Sequence, residues 1–210
     1  MKKLSILLCA TLLISGVAKG QSYNNEATAQ LLELLNSPRG ESNQEAIENM
    51  NQFITLIEHG ANPNIISPDG RDKTLLTSLV IFDFFGIIAN RLTKQEIEEF
   101  IHTAHHAIKV LLDHGANPNG RNDDGSTALF AVYSPEIARL LIDYGADRSI
   151  EDNRGQTALQ ILEAQKISIL ADIAQGRSGG WPFNFSKDTQ LDLIAHLGNV
   201  IEVIKTYKIN

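Results

Sequence analysis

Apolar residues recur along most of the chain at the three- and four-residue spacing of amphipathic helices. The spacing predicts helices at residues 27–35, 44–58, 74–85, 101–113, 127–133, 134–143, 157–174 and 188–207. The helix at 74–85 is almost entirely apolar, so we expect other elements to cover it on several sides. The connection at 86–99 is predicted to be partly helical, because Thr93-Lys94-Gln95-Glu96 is typical of a capping box.

Three of the predicted helices end in nearly the same sequence, at residues 56–64, 111–119 and 141–147. Each ending has two apolar residues, two polar residues, and then glycine and alanine. The glycines are Gly60, Gly115 and Gly145. Glycine adopts the left-handed conformation that commonly ends a helix, because it has no Cβ to clash. The repeated sequence therefore predicts a helix end at each of these glycines.

A second repeated sequence follows each ending and leads into the next helix. It contains a turn glycine and, before an apolar run, a threonine that is a plausible helix N-cap. The turn glycines are Gly70, Gly125 and Gly155, and the threonines are Thr74, Thr127 and Thr157. The predicted order is helix, glycine stop, tight turn, threonine start and helix. Pro135 fits the first position of the helix at 134–143.

This order resembles the ankyrin repeat, in which G-x-T-P-L-H is followed by a second helix that ends in L-L-x-x-G-A-D/N-x-N. The resemblance implies an all-α ankyrin-repeat solenoid of about four helix pairs, with short turn fingers and a long helical C-terminal cap. The repeats are expected at residues 25–66, 67–121, 122–151 and 152–210. Gly115 and Gly145 are 30 residues apart, whereas Gly60 and Gly115 are 55 apart, so the second repeat carries an insertion.

The repeats depart from the family pattern at several positions. The family's histidine, which joins neighbouring turns by hydrogen bonds, is replaced here, so we expect its network to be absent or replaced. The residues at that position are Thr77, Phe130 and Gln160. The family's proline is replaced by Leu75, Ala128 and Ala158. Two additional residues between Gly70 and Thr74 predict a longer first finger.

The first 20 residues have the pattern of a signal peptide. Two lysines precede an apolar stretch at 4–17 that is too short to span a bilayer, and small residues follow it. We expect cleavage before Gln21 and delivery to the periplasm or the exterior of the cell. A buried N-terminal helix is the alternative.

Composition and charge exclude several classes of function. The single cysteine, Cys9, lies in the leader, which excludes disulfides, a cysteine nucleophile and Cys-ligated zinc in the mature chain. Leu8 stands where a lipid-anchored protein has a small residue, so we expect no lipid anchor. The 210-residue chain has a net charge of −7, and loss of the leader removes three lysines and no acid, which gives −10. This acidity argues against nucleic acid or an anionic membrane as partner.

Candidate chemistry is sparse. No nucleophile elbow, Walker loop or dinucleotide-binding glycine motif is present. His102, His105 and His106 lie close together on one predicted helix. His102 and His106 share a face at four-residue spacing and could hold a metal, but a third ligand would be needed and there is no H-E-x-x-H pattern. The acid pairs at 123–124 and 151–152 are expected at exposed turn tips, where burial would not raise a carboxyl pKa. We therefore predict no catalytic residue, cofactor or metal, and a metal-dependent enzyme using the histidines is the alternative.

The resemblance places partner binding on the finger tips and the inner face of the first helices. The matching positions are Asp69, Arg71, Asp72, Lys73, Asp123, Asp124, Ser126, Asn153, Arg154 and Gln156, with Tyr133 at a helix end. Simple solvation is the alternative for each of them. Trp181, with Phe183 and Phe185 in a glycine-rich loop, is either a binding hot spot or a plug over the end of the stack, and we favour the plug.

The sequence thus predicts an exported, non-enzymatic ankyrin module that binds a partner protein, and the acidic charge favours a basic partner. An immunity-type inhibitor of a toxin or enzyme in the periplasm is a narrower alternative, suggested only by analogy with small exported binders. We expect a monomer, since solenoids with capped ends seldom associate.

Overall fold

The computed structural model describes residues 23–36, 43–66, 74–87, 94–176 and 187–208. Within these ranges the chain forms α-helices and one short 3₁₀ helix, and no strand. The elements are α1 (Asn25–Asn36), α2 (Asn43–Glu58), α3 (Leu75–Ile87), α4 (Lys94–Asp113), the 3₁₀ helix (Ala128–Ala131), α5 (Pro135–Asp143), α6 (Ala158–Ala174) and α7 (Lys187–Thr206). None of the described helices is both long enough and apolar enough to cross a membrane. The predicted leader, its cleavage point and Cys9 lie outside the described residues.

The helices stack as pairs. α1 packs on α2, α3 on α4, the 3₁₀ helix on α5, and α6 on α7. Three of the first members, α3, the 3₁₀ helix and α6, form one row, since the 3₁₀ helix contacts both of the others. Among the second members, α2 contacts α4 and α5 contacts α7. One apolar core runs through all the pairs. The predicted all-α stack of four helix pairs is confirmed.

The three glycine endings are built alike. Gly60, Gly115 and Gly145 have φ of +89°, +88° and +88°, in the left-handed region. In each ending the alanine after the glycine donates its N–H to the carbonyl five residues earlier, as Ala61 does to Leu56 at 3.0 Å. This pattern satisfies carbonyl groups at the helix end that would otherwise lack a partner. The predicted helix ends are confirmed.

The threonine starts differ among the repeats. The Thr74 hydroxyl accepts a hydrogen bond from the Thr77 N–H at 3.2 Å, so Thr74 caps α3. Thr157 forms a capping box with Gln160, whose side-chain oxygen accepts from the Thr157 N–H at 2.8 Å. Thr127 makes no side-chain cap. Two of the three predicted threonine caps are therefore present.

The helix expected at 127–133 is a single 3₁₀ turn, and this prediction is wrong in extent. Pro135 disfavours helical backbone at the preceding residue, and Ser134 is extended, with φ −96° and ψ 125°. Val132 is also extended, with φ −80° and ψ 132°, so the helix ends at Ala131. Ser134 then caps α5 through the Ile137 N–H, with proline at the first position as predicted.

The connection after α3 is shorter than the sequence predicted, because α4 begins at Lys94 rather than at residue 101. The helical part of the predicted connection, from residue 94 onward, thus continues directly into the second helix of that repeat. The start agrees with the predicted capping box, although Thr93 itself lies outside the described residues.

Asparagine side chains join neighbouring pairs, and we call Asn64 and Asn119 the asparagine ladder. The Asn64 side-chain amide donates to the Gly115 carbonyl at 2.9 Å and accepts from the Asn117 N–H at 2.8 Å. Asn119 repeats both bonds one pair later, to the Gly145 carbonyl at 2.9 Å and from the Asp147 N–H at 2.7 Å. The ladder therefore joins neighbouring repeats through their helix endings, in a chain that lacks the histidines by which the family joins neighbouring turns.

The ladder stops at the last ending because the residues change. Ser149 stands at the position of Asn64 and Asn119, and Arg148 stands at the position of the preceding prolines. The Arg148 guanidinium donates to the Ile204 carbonyl near the end of α7 at 2.8 Å. The third ending is thus fastened to the final helix by a charged side chain instead of an amide.

Candidate binding surface

The second finger, residues 121–126, is a tight hairpin closed by its own side chains. The Asn122 N–H donates to the Ser126 carbonyl at 2.8 Å. The Asp124 carboxylate accepts from the Ser126 N–H at 2.9 Å. Asn122 is buried, and its side-chain oxygen accepts from the Thr74 N–H at 3.1 Å. The second finger is therefore also fixed to the start of α3.

The third finger, residues 151–156, repeats the same hairpin. The Asp152 N–H donates to the Gln156 carbonyl at 2.9 Å. The Asp152 carboxylate accepts from the N–H groups of Arg154 and Gln156, at 2.8 and 2.9 Å. In each finger one aspartate carboxylate accepts hydrogen bonds from backbone N–H groups of the same finger. The backbone conformation of both fingers is therefore fixed without a bound partner.

The two fingers are bonded to each other. The Asn153 N–H donates to the Asp124 carbonyl at 2.9 Å, and its side-chain amide donates to the Asp123 carbonyl at 2.8 Å. The Arg121 guanidinium donates to the Glu151 carbonyl at 2.8 Å. These three bonds make the fingers one continuous surface.

Gly125 lies where the two fingers approach each other closely. Its φ is +80°, and a Cβ there would lie 2.8 Å from the Asn153 nitrogen and 2.7 Å from an Arg121 side-chain nitrogen. Gly155 occupies the same place in the third finger with φ +74°, but a Cβ there would meet only a Glu151 oxygen at 3.9 Å. Gly125 is therefore required by space as well as by conformation.

The structure brings the predicted binding residues of both fingers together at one edge of the stack. Exposed side chains at this edge are Asp123, Asp124, Asn153 and Arg154, and half-buried ones are Ser126 and Gln156. Asp69, Arg71, Asp72, Lys73 and Trp181 lie outside the described residues. Asn153 also has a structural role that its sequence position did not indicate, since it forms two of the bonds between the fingers.

Tyr133 is the predicted site residue that the structure removes from this surface. It is 5% exposed, and its hydroxyl donates to the Gln165 side chain at 3.1 Å. Burial raises the pKa of the Tyr133 hydroxyl above its ordinary range. Tyr133 also lies two residues beyond the end of the 3₁₀ helix rather than at a helix end, and spacing alone did not show that its side chain is buried with its hydroxyl on Gln165 of α6.

A family model described as ankyrin repeats, in three copies, matches residues 100–169. The matched third of the chain runs from α4 into α6 and includes the second and third fingers. The chain carries ankyrin repeats. No curated protein matches it. Ankyrin repeats are a protein-interaction module, and the fingers belong to the kind of surface on which such modules bind proteins.

Tyrosine–aspartate pairs join the second helices of the ankyrin stack, and no sequence pattern indicated them. The Tyr144 hydroxyl donates to the Asp113 carboxylate of the preceding repeat. The Tyr207 hydroxyl donates to the Asp143 carboxylate at 3.0 Å. Lys109 also contacts Asp113, at 2.6 Å. Hydrogen bonds from Lys109 and Tyr144 hold the pKa of Asp113 below its ordinary value.

Replacing Tyr144 with phenylalanine should raise the pKa of Asp113, because one donor to the carboxylate is lost. The ionised form of Asp113 stabilises the fold above the ordinary carboxyl pKa, and this contribution disappears as pH falls through the lowered pKa. The stability effect should be small, since the Asp113 carboxylate is exposed and the Tyr144 side chain is only half-buried. An NMR pH titration of Asp113 measures the shift, with Tyr207→Phe as the matched control that leaves Asp113 unchanged. An unchanged pKa in the Tyr144 variant would contradict the pairing.

The histidine group lies on α4, where His102 and His106 are exposed. Among the residues that the structure describes, no cluster of three or more histidine, aspartate or glutamate side chains is placed to hold a metal ion. The geometry of the described ankyrin pairs thus offers no support for the alternative of a metal-dependent enzyme.

The last helix pair exposes apolar side chains. Ile167 and Leu170 on α6 and Leu191 on α7 are 66%, 46% and 48% exposed. An exposed Lys205–Glu163 ion pair at 2.6 Å also joins the two helices. The predicted role of Trp181, plug or hot spot, concerns the segment between these helices and stays a prediction.

Proposed function

We propose that this chain is an exported ankyrin module that binds a partner protein across its fingers and the adjoining inner helices. The observation that carries the proposal is the bonding of the second and third fingers into one exposed surface. A surface whose backbone is fixed before association loses less conformational entropy on binding.

The charge of the fingers indicates the class of partner. Four carboxylates, on Asp123, Asp124, Glu151 and Asp152, stand against the guanidinium groups of Arg121 and Arg154. The net negative charge of this edge agrees with the acidic composition of the chain, which has a net charge of −7. Opposite charge on a partner accelerates encounter and suppresses wrong partners. We therefore propose a protein with a basic contact face.

The binding surface is tested by comparing variants in a quantitative capture assay from envelope extract. Asp123→Lys reverses a charge on an exposed finger position, and Glu202→Lys makes the same change on exposed α7, away from the fingers. We expect the finger variant to weaken capture of the same partner by roughly tenfold, or about 1.4 kcal/mol. The α7 variant should bind like the parent protein. Equal capture by both would contradict the proposed surface.

Export is tested separately. The full chain, expressed in a Gram-negative cell, should be recovered from the periplasm with Gln21 as its first residue. Recovery from the cytosol with the leader intact would contradict export without affecting the finger surface. If the captured partner is an enzyme or toxin, loss of its activity in the complex would support the immunity-type form of the proposal.

A further inference from the structure

Asn119 and Gly120 are the only asparagine–glycine pair in the chain. Such a pair can react without an enzyme. The Gly120 backbone nitrogen loses its proton and bonds to Cγ of Asn119, the Cγ–Nδ2 bond breaks, and the amide nitrogen leaves as ammonia. Water then opens the resulting succinimide ring to aspartate or isoaspartate. Glycine favours this reaction because no Cβ hinders the attack and the backbone is permissive.

The folded protein holds both reacting groups away from this reaction. The Asn119 amide is fixed by its two ladder bonds, at 2.9 Å to the Gly145 carbonyl and at 2.7 Å from the Asp147 N–H. The Gly120 N–H donates to the Asn117 carbonyl at 3.0 Å. Attack requires the amide to turn from the next repeat toward its own backbone, and requires the Gly120 nitrogen to give up its hydrogen bond.

The protecting partners belong to the neighbouring repeat. Gly145 and Asp147 lie at the ending of α5, so both ladder bonds of Asn119 break whenever the second and third repeats separate locally. Repeat proteins open at such junctions more easily than they unfold as a whole. We propose that Asn119 is a modification site that the closed junction protects and that deamidates when the junction opens.

The product weakens the junction that protected it. An aspartate at 119 can still accept from the Asp147 N–H, but it has no hydrogen to donate to the Gly145 carbonyl. Its carboxylate oxygen then faces a carbonyl oxygen, and two acceptors in contact repel. Isoaspartate also adds a methylene to the backbone before Gly120. Each reaction therefore makes the next opening easier, and the change persists after the junction closes again.

Packing explains why the reactive glycine is present. A Cβ on residue 120 would lie 3.0 Å from Cγ2 of Thr74 and 3.2 Å from the Asn117 carbonyl oxygen. These approaches are tighter than ordinary van der Waals contact, and one of them is to backbone. The close approach of α3 to the second ending thus favours glycine after the ladder asparagine, and so creates the susceptible pair.

The first test is the rate of reaction at Asn119 in the intact protein. The protein is incubated at mildly alkaline pH, folded or in urea, and peptide mapping by mass spectrometry measures aspartate and isoaspartate at position 119. We expect the folded protein to react at least about tenfold more slowly than the unfolded chain. The folded rate should rise at urea concentrations below the unfolding transition. Equal rates in folded and unfolded protein would overturn the protection.

A pair of matched variants tests whether the junction, rather than global unfolding, controls the rate. Gly145→Ala and Gly60→Ala strain equivalent helix endings, with φ of +88° and +89°, and neither added Cβ clashes. Only Gly145 bonds to Asn119. We expect Gly145→Ala to accelerate the reaction several-fold more than Gly60→Ala. Equal acceleration would show that whole-protein unfolding sets the rate, and would overturn the inference.

The mimic Asn119→Asp tests the effect of the product on the fold. It should lower the melting temperature relative to the parent protein, because one ladder bond is lost and a carboxylate faces the Gly145 carbonyl. An unchanged melting temperature would overturn the proposed weakening of the junction.

Discussion

Gly125→Ala should destabilise the folded protein by about 2 kcal/mol or more, the largest loss we expect from a single methyl group in this chain. A non-glycine residue at φ +80° costs about 1–2 kcal/mol. The added Cβ would also lie 2.8 Å from the Asn153 nitrogen, so the fingers must move apart. That movement lengthens the bonds between the fingers, each worth about 1 kcal/mol. Urea denaturation of the parent and the variant measures the difference.

Gly155→Ala is the matched control for the crowding at Gly125. It changes the same residue type in the same place of the next finger, with φ +74°. Since its Cβ meets nothing closer than 3.9 Å, only the conformational cost of about 1–2 kcal/mol should remain. If the two variants lose equal stability, the close approach of the two fingers does not contribute.

Asn119→Ala should destabilise the protein by about 1–3 kcal/mol, because it removes both ladder bonds between the second and third repeats. The Gly145 carbonyl and the Asp147 N–H then depend on water. Since stability in a repeat array is a sum of repeat and interface contributions, the loss should fall on one interface and reduce the cooperativity of unfolding. A urea titration followed by circular dichroism measures both the midpoint and the steepness of the transition.

Ser149→Ala is the control at the equivalent position. Ser149 donates only to Asp147 within its own loop, and no ladder bond from it is found in the described part of the chain. This surface change should alter stability by less than about 0.5 kcal/mol. A loss as large as that of Asn119→Ala would mean that both positions act through the loop alone and that the ladder does not couple the repeats.

Much of the fold follows from local signals in the sequence. The glycines at 60, 115 and 145 fix where helices end because each needs a left-handed conformation. Apolar spacing fixed the helices themselves, and α6 and α7 begin and end within a residue of their predicted bounds. The break between the two helices of the third repeat was also readable, since Pro135 restricts Ser134 to an extended backbone.

The candidate surface was less predictable, because its geometry depends on contacts between repeats. The sequence placed Asp123, Asp124, Asn153 and Arg154 on fingers, but did not show that Asn153 binds the preceding finger. Tyr133 was predicted at a helix end but lies beyond the 3₁₀ helix, and its burial depends on the contact with Gln165 of α6. The asparagine ladder left one readable trace, which is the recurrence of asparagine at 64 and 119.

The ladder also bears on how such a chain can grow by gene duplication. Residues 115–144 make up one period of the ladder. If this segment were duplicated in tandem, Gly115 and Asn117 of the second copy would lie where Asn119 of the first copy can bond to them, as they now bond to Asn64. The copied finger would carry Asp123 where Asn153 now stands, and a carboxylate has no N–H to donate across to its neighbour. The elongated array would therefore keep a continuous spine but lose one of the three bonds between fingers at the new boundary.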